Sequence, residues 1–456
     1  MGREKLGSRL GFILLSAGCA IGIGNVWKFP YIVGQNGGGI FVVIYLIFLA
    51  ILGIPVMTME FALGRASQKS PIKMYQELEP KGTYWHIHGK VALIGSYLLM
   101  MFYTTVAGWM IRYFVSTASG ELSGLDASEI GAHFESVLAN APMMILFLAI
   151  VMGTAVLVCS IGLKNGLERV TKVMMSALII IMVVLAINSF FMKGGREGLV
   201  FYLKPNFEEV KKVGIGSIVV NAMNQAFFTL SIGMGAMAIF GSYIGKERAL
   251  LSESVNVALL DTFVAISSGL IIFPACFAYG VDVDSGPRLI FITLPNIFNN
   301  IPLGRLWGSL FFVFMSFAAL STVLAVFEEI SACTEDQFGW SRKKSCAING
   351  ILIFVLSIPC CLGFNVLSGF QPMGEGTSIL DLEDFIVSNI ILPLGSLSVI
   401  LFCTTKKGWG WENYLNEVNT GKGMKLKGFV KGYFSYILPV MVIFVFVIGL
   451  IRTFAK

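Results

Sequence analysis

The sequence predicts an all-α polytopic membrane protein. Its 456 residues are 56% hydrophobic and only 13% charged, and their mean hydropathy is +0.79. Water-soluble domains carry about 25% charged residues. Eleven apolar runs are long enough to cross a bilayer, and each should be helical because lipid offers the backbone no hydrogen-bond partner. The predicted spans, numbered 1 to 11, cover residues 9–32, 39–65, 87–118, 142–162, 166–191, 216–244, 250–281, 304–336, 343–364, 379–403 and 430–453.

The connecting loops predict the orientation of the spans. If the N-terminus is cytoplasmic, 22 of the 33 Lys and Arg residues fall in inner segments, as the positive-inside rule requires. The basic outer segment 193–212 runs against the rule. An odd number of spans places the C-terminus outside. The first apolar run has no small-residue cleavage site and is typical of a signal anchor.

Composition and motifs exclude several classes of function. The eight cysteines are scattered, mostly in apolar runs, and predict neither a disulfide framework nor a metal site. His86 and His88 have no further ligand nearby. The net charge of +6 reflects loop placement and does not predict a nucleic-acid partner. Because HExxH, GxSxG and paired catalytic aspartates are absent, an enzyme is not expected, and acidic rings or a filter-like loop that would indicate a channel are absent too.

Span 1 contains an interruption at mid-depth. Residues 16–30 read SAGCAIGIGNVWKFP, in which Gly18, Gly22, Gly24 and Asn25 weaken an otherwise apolar helix. Each interior glycine costs a helix about 1 kcal/mol relative to alanine. The pattern favours a helix that breaks within the membrane. Close helix packing through the Gly18 and Gly22 GxxxG pair is the alternative.

Span 6 repeats this pattern five spans later. Its centre, residues 227–235, reads FFTLSIGMG and places hydroxyl groups beside a Gly-X-Gly interruption. Interrupted helices in corresponding positions of two halves indicate a transporter binding site. The spacing predicts one transmembrane domain over residues 1–456, with repeat one at about 9–191, repeat two at about 216–403 and an extra helix at about 430–453.

Other polar groups at membrane depth agree with a central site. A lone carboxylate inside a span, such as Asp261 in span 7, predicts a functional role. The alternative is a buried carboxylate that is hydrogen-bonded for structure. Ser321 and Thr322 in span 8 are a weak signal alone, since such hydroxyls often bond to their own helix. Glu60 is expected to support unwound backbone, and Tyr103 is equally consistent with a cavity or a core. The apolar, proline-interrupted segment 285–302 predicts a re-entrant or capping segment on the outer face.

Several of these stretches resemble one family. GCAIGIGNVWKFPY with NGGG, QAFFTLSIGMGA, GPRLIFITLP and DLEDF are similar to span 1, span 6, outer loop 4 and the start of span 10 of the LeuT-like neurotransmitter:sodium symporters. An eleven-span chain resembles the bacterial members that take up hydrophobic and aromatic amino acids. The resemblance implies a 5+5 inverted repeat with broken helices 1 and 6, in a bacterial cytoplasmic membrane.

The resemblance also implies a role for individual positions. The substrate would contact Cys19, Ala20, Gly22, Ile23, Gly24, Leu99, Tyr103, Phe228, Thr229, Ser231, Met234, Thr322 and Val326. One sodium ion would be held by Ala20, Asn25, Thr229, Asp261 and the substrate carboxylate, and a second by Gly18, Ile21, Ala318, Ser321 and Thr322. An outer gate would pair Lys28 with Asp384, and an inner gate would pair Arg3 with Asp336, supported by Tyr243.

Three positions depart from relatives within that family. Gly22 stands where monoamine carriers have Asp, which favours an amino-acid substrate. Asp261 stands where chloride-dependent members have Asn, and Ala265 lacks the hydroxyl of their chloride site. Lys28 replaces an Arg and cannot form a bidentate pair. The sequence therefore predicts chloride-independent, sodium-coupled symport of a neutral, large hydrophobic or aromatic L-amino acid. A sodium-dependent sensor without net transport is the alternative, and the oligomeric state stays open.

Overall fold

Apolar helices account for the architecture of the chain. The computed structural model describes residues 4–192, 194–205, 207–280 and 288–454. Within these ranges every regular secondary-structure element longer than an isolated bridge is a helix. Nine helices in the described ranges are continuous and apolar enough to cross a membrane. They correspond to spans 2 to 5 and 7 to 11, and their bounds are Gly39–Ser67, His86–Ser119, Ala141–Ile161, Leu163–Phe190, Leu250–Ala278, Gly304–Phe338, Arg342–Leu362, Ile379–Thr404 and Gly428–Thr453.

Spans 1 and 6 are each divided into two helices. Span 1 consists of Arg9–Ala20 and Gly24–Gln35, which meet at an angle of 59°. Span 6 consists of Ile215–Phe228, with 14 residues, and Ala236–Ser242, with 7 residues. The predicted interruptions are therefore present in both spans. Counting span 1 as one crossing gives ten by length and composition in the described ranges, so the total of eleven stays a prediction.

Short helices occupy the loops. Their bounds are Pro71–Leu78, Ala127–Ala139, Gly195–Leu203, Phe207–Val213, Leu289–Asn299 and Trp411–Val418. Leu289–Asn299 lies in the predicted capping segment, whose residues 285–287 fall outside the described ranges. Phe291 of this helix is fully buried and stacks on Phe134, with ring centroids 4.9 Å apart. This packing agrees with a capping segment that is folded onto the outer face of the protein.

The break in span 1 leaves backbone oxygens without helical partners. The helix ends at Ala20, and the N–H of the next residue, Ile21, donates to the Ala17 carbonyl at 2.6 Å. The next two N–H groups turn away from the helix: Gly22 donates to the Asn25 amide oxygen at 3.2 Å, and Ile23 donates to the Tyr103 hydroxyl at 2.9 Å. The last carbonyls of a helix need substitutes for the missing N–H groups. The break therefore offers carbonyl oxygens as ligands.

The break in span 6 depends on glycine. Gly233 and Gly235 have φ angles of +104° and +101°, which side chains other than glycine rarely adopt. A Cβ atom on Gly233 would also lie 2.2 Å from the Leu392 carbonyl oxygen. The buried Glu60 carboxylate accepts a hydrogen bond from the Gly233 N–H at 2.5 Å. Glu60 thus supports the unwound segment, as the sequence predicts.

Candidate substrate and ion site

A cavity of about 360 Å³ lies between the two broken helices. Twelve of the thirteen predicted substrate residues line it, namely Cys19, Ala20, Gly22, Ile23, Gly24, Leu99, Tyr103, Phe228, Thr229, Ser231, Met234 and Thr322. Val326 is the exception: it is buried, at 1% exposure, but does not line the cavity. The four spans that carry these residues, 1, 3, 6 and 8, therefore meet around one space.

Asn25, Thr229 and Asp261 form a buried hydrogen-bonded group beside this cavity. The Asn25 side-chain amide donates to Asp261 Oδ1 at 2.7 Å, and the Thr229 hydroxyl donates to Asp261 Oδ2 at 3.0 Å. All three side chains are at most 4% exposed. Among the residues that the structure describes, Asp261 has no ion pair with a lysine, an arginine or a histidine. A buried carboxylate without a partner of opposite charge is costly, so the Asp261 carboxylate is suited to binding a cation.

A second group of oxygens lies where span 8 crosses the break in span 1. The Thr322 hydroxyl is 3.3 Å from both the Gly18 and Cys19 carbonyl oxygens. It is 3.5 Å from the Ile21 and Ala318 carbonyls, and the Ser321 hydroxyl lies 3.5 Å from Ile21 O and 3.0 Å from Ala318 O. Two hydroxyl hydrogens cannot satisfy the three carbonyls of the break, those of Gly18, Cys19 and Ile21. This excess of oxygen lone pairs is the chemistry that a hard cation requires.

Tyr103 and Gly22 define one end of the cavity. Besides accepting from Ile23, the Tyr103 hydroxyl lies so close to Gly22 that a Cβ atom there would be 2.3 Å from it. The same Cβ would lie 3.0 Å from the Thr322 hydroxyl. Glycine is therefore required for the approach of span 1 to spans 3 and 8. The hydroxyl of Tyr103 and the N–H groups of the break converge at this end.

Residues 3–130 and 129–456 match the sodium:neurotransmitter symporter family. The chain belongs to this family. It is 35% identical over 446 residues to YhdH, an uncharacterized sodium-dependent transporter of Bacillus subtilis, with 97% of each chain covered. It is 30% identical over 468 residues to an uncharacterized sodium-dependent transporter of Methanocaldococcus jannaschii, covering 97% of this chain and 90% of that one.

A solved structure is also similar to this chain over its whole length. The crystal structure of MhsT in complex with L-phenylalanine is 36% identical and superimposes with a TM-score of 0.87, covering 98% of this chain and 100% of that chain. The chain therefore has the LeuT fold of the sodium:neurotransmitter symporters. It is a multi-pass membrane protein of a sodium-dependent transporter family.

The outer-gate residues of this symporter line the cavity but are not paired. Lys28 Nζ lies 3.9 Å from the centroid of the Phe228 ring, and Asp384 accepts a hydrogen bond from the Ser388 hydroxyl at 2.7 Å. The predicted Lys28–Asp384 ion pair is absent, although both residues are described. The Lys28 ammonium instead lies against the face of the Phe228 ring, where a cation–π contact stabilises it.

The inner-gate prediction is only partly covered by the structure, because Arg3 lies outside the described residues. Asp336 accepts a hydrogen bond from the Ser70 N–H at 2.7 Å. The Tyr243 hydroxyl donates to Glu328 at 2.6 Å, and Glu328 also pairs with Arg342. The role of Arg3, Asp336 and Tyr243 as a gate therefore stays a prediction.

Sequence reasoning missed part of the cavity wall. Asn25, Lys28 and Asp384 line the cavity and are predicted as ion or gate residues. The lining residues that the sequence analysis does not name are Trp27, Tyr31, Phe102, Val106, Leu380, Asp381, Val387 and Leu392. Of these, Phe102 and Val106 share a helix face with the predicted Leu99 and Tyr103, so helical spacing contained a signal for them. Val387 and Leu392 depend on how span 10 closes against span 6, and no local pattern marks them.

Proposed function

We propose that this family member is a sodium-coupled symporter that takes up a neutral, large hydrophobic or aromatic L-amino acid independently of chloride. The observation that carries this proposal is the cavity between the broken helices, which joins hydrogen-bonding groups at one end to an apolar wall. Alternating access would rock spans 1, 2, 6 and 7 against the other spans. The proposed setting is a bacterial cytoplasmic membrane, with the N-terminus cytoplasmic and the C-terminus outside.

The polar end of the cavity suits an amino-acid backbone. Gly22, Gly24 and the Tyr103 hydroxyl would face the carboxylate, and carbonyls of the two breaks would face the amine. No side-chain carboxylate occupies the Gly22 position, so the substrate has to bring its own negative charge. A substrate carboxylate beside Asn25 and Thr229 would complete a sodium shell there, so that substrate and sodium strengthen each other's binding by the same factor.

The apolar part of the cavity wall suits a large apolar side chain. Leu99, Phe228 and Met234 line the cavity, together with Val106 and Leu392. A methionine adapts to different side-chain shapes because its chain is unbranched. The similar MhsT structure contains L-phenylalanine. These observations together favour hydrophobic and aromatic amino acids over small or charged ones.

Chloride independence rests on Asp261. Its carboxylate has no cationic side-chain partner among the described residues and lies against Asn25 and Thr229. A fixed negative charge at this place balances a sodium ion without an added anion. Ala265 has no hydroxyl to offer to chloride, although the nearby Tyr45 hydroxyl and both polar atoms of the Gln225 amide are buried without hydrogen-bond partners.

Competition binding tests the proposed substrate class. Each of the twenty amino acids would compete against radiolabelled L-phenylalanine on the purified protein, with sodium or with potassium as the cation. We expect the large apolar and aromatic amino acids to compete, and only in sodium. Binding that does not need sodium, or competition by charged amino acids alone, would contradict the proposal. A sodium-dependent sensor would bind in the same way and yet show no counterflow in proteoliposomes.

The second proposed sodium site makes a separate prediction. Removing both hydroxyls with Ser321→Ala and Thr322→Val deletes two oxygen ligands, so the apparent sodium affinity should fall at least tenfold, or about 1.4 kcal/mol. Ser316→Ala is the matched control, because Ser316 is buried in the same span and its hydroxyl has no hydrogen-bond partner. An equal change in both variants, measured by sodium titration of substrate binding, would argue against a sodium ion at Ser321 and Thr322.

A further inference from the structure

Glu329 in span 8 is a fully buried carboxyl group that the proposed sodium and substrate sites do not use. Its exposure is 0%. Its Oε1 atom lies 3.1 Å from the Ser96 hydroxyl of span 3, and its Oε2 atom is buried without a hydrogen-bond partner. Lysines, arginines and histidines of the described ranges make no ion pair with it. An ionised carboxylate in such a place would carry a large desolvation cost.

The hydrogen bonds of Ser96 indicate which form Glu329 takes. Ser96 Oγ lies 3.1 Å from the Ala92 carbonyl oxygen and 3.1 Å from Glu329 Oε1. A serine hydroxyl has one hydrogen to donate, and a carbonyl oxygen can only accept. If Glu329 were ionised, one of the two contacts would lack a hydrogen. A protonated Glu329 donates to Ser96, which then donates to Ala92, and both contacts are satisfied.

A second buried carboxyl group, that of Glu60, also favours the protonated form of Glu329. Glu60 of span 2 is 0% exposed and interacts electrostatically with Glu329. Glu60 accepts the Gly233 N–H, and a Cβ atom on Gly235 would lie 3.4 Å from Glu329 Oε1, so both glutamates reach the unwound segment of span 6. Two neighbouring carboxyl groups without a cation do not both ionise.

We propose that Glu329 is a proton-binding site, held by Ser96 and placed against the unwound segment of span 6. The ligand of this site is a proton, and the group that binds it is the Glu329 carboxylate. The other titratable groups that face the pair are the Cys19 thiol, which interacts with both glutamates, and Tyr75 and Cys403, which interact with Glu60. In span 8 itself, Glu328 is neutralised by Arg342.

The position of this site connects it to transport, and this step rests on the proposed function. Ser96 and Glu329 belong to spans 3 and 8, whereas Glu60 and Gly233 belong to spans 2 and 6, which would move. Rocking therefore changes the distance between the two glutamates and the access of water to Glu329. When water reaches it, the O–H bond breaks, the carboxylate keeps the electron pair and water takes the proton. Transport should then respond to pH on the side to which Glu329 opens.

Infrared spectroscopy of the purified full-length protein tests the proton site without requiring transport. We expect the wild type to show the C=O band of a protonated carboxyl group at neutral pH and Glu329→Gln to lose one such band. Ser96→Ala should shift that band, because the carboxyl group loses its acceptor. In a Glu329→Gln background, Ser96→Ala should leave the C=O bands of protonated carboxyl groups unchanged. Glu383→Gln is the control: this glutamate of span 10 is also buried, and Ser96→Ala should still shift the Glu329 band in a Glu383→Gln background.

Two results would overturn the proton site. One is a set of protonated-carboxyl bands that is identical in the wild type and in Glu329→Gln. The other is a Ser96→Ala shift that persists after Glu329 has been replaced. In proteoliposomes, sodium-driven uptake by Glu329→Gln should lose the dependence on luminal pH that the wild type shows, and an unchanged pH profile would contradict the link to transport. If the wild type takes up no amino acid at all, the proposed function fails while the infrared result still decides the proton site.

Discussion

Asp261→Asn is expected to lower sodium affinity at least tenfold in chloride-free medium. The substitution removes the negative charge and replaces one carboxylate oxygen by an amide N–H, where the Thr229 hydroxyl now donates at 3.0 Å. Two unit charges 4 Å apart attract by about 4 kcal/mol at an effective dielectric constant of 20. The net loss is smaller because asparagine keeps one oxygen, so we expect at least about 1.4 kcal/mol, which is tenfold.

Chloride should compensate for this loss, at least in part. A free anion near Tyr45 and Gln225 would restore the missing charge, although Ala265 contributes no hydroxyl. The measurement is sodium titration of substrate binding in gluconate and in chloride. Asp381→Asn is the matched control, because Asp381 lines the outer part of the same cavity and does not contact Asn25 or Thr229. Wild-type sodium affinity of Asp261→Asn in gluconate would contradict the role given to this carboxylate.

Gly22→Ala is expected to weaken substrate binding at least a hundredfold, or about 2.8 kcal/mol. The new Cβ atom would lie 2.3 Å from the Tyr103 hydroxyl, so either Tyr103 or the break in span 1 has to move. Both movements separate the Tyr103 hydroxyl from the Ile23 N–H, which are 2.9 Å apart. They also disturb the groups that would hold the substrate carboxylate.

The loss of substrate affinity should be specific to Gly22 and should overlap with the loss caused by Tyr103→Phe. Gly153→Ala is the control, since a Cβ atom on this glycine of span 4 meets nothing within 4 Å. Because Gly22 and Tyr103 act on the same group, the cost of Tyr103→Phe should be largely included in that of Gly22→Ala, and the double variant should bind little worse than Gly22→Ala alone. Strictly additive losses, measured by equilibrium binding, would show that the two residues act independently.

The breaks in the helices could be predicted from the sequence because glycine and polar residues are conspicuous in apolar runs. Asp261 could be singled out for the same reason, and the structure places it against Asn25 and Thr229. Local patterns of this kind carry a large energetic cost in a membrane, so they are rarely accidental.

Features that depend on tertiary packing could not be predicted in this way. Val387 and Leu392 enter the cavity wall only because span 10 packs against Gly233. The contact of Lys28 with the face of Phe228 replaces the expected pairing with Asp384, and Val326 is buried behind the cavity surface. The proton proposed for Glu329 depends on the contact of this residue with Ser96 of span 3, which no local pattern marks.

Gradient-driven uptake tests whether the protein is a chloride-independent sodium symporter. Proteoliposomes containing the protein would be loaded with potassium gluconate and diluted into sodium gluconate with radiolabelled L-phenylalanine. Sodium-coupled symport predicts accumulation above the outside concentration, abolished when potassium replaces sodium outside or when an ionophore dissipates the sodium gradient. It also predicts no further gain when chloride replaces gluconate. Equilibration without accumulation, or accumulation that requires chloride, would contradict a chloride-independent sodium symporter.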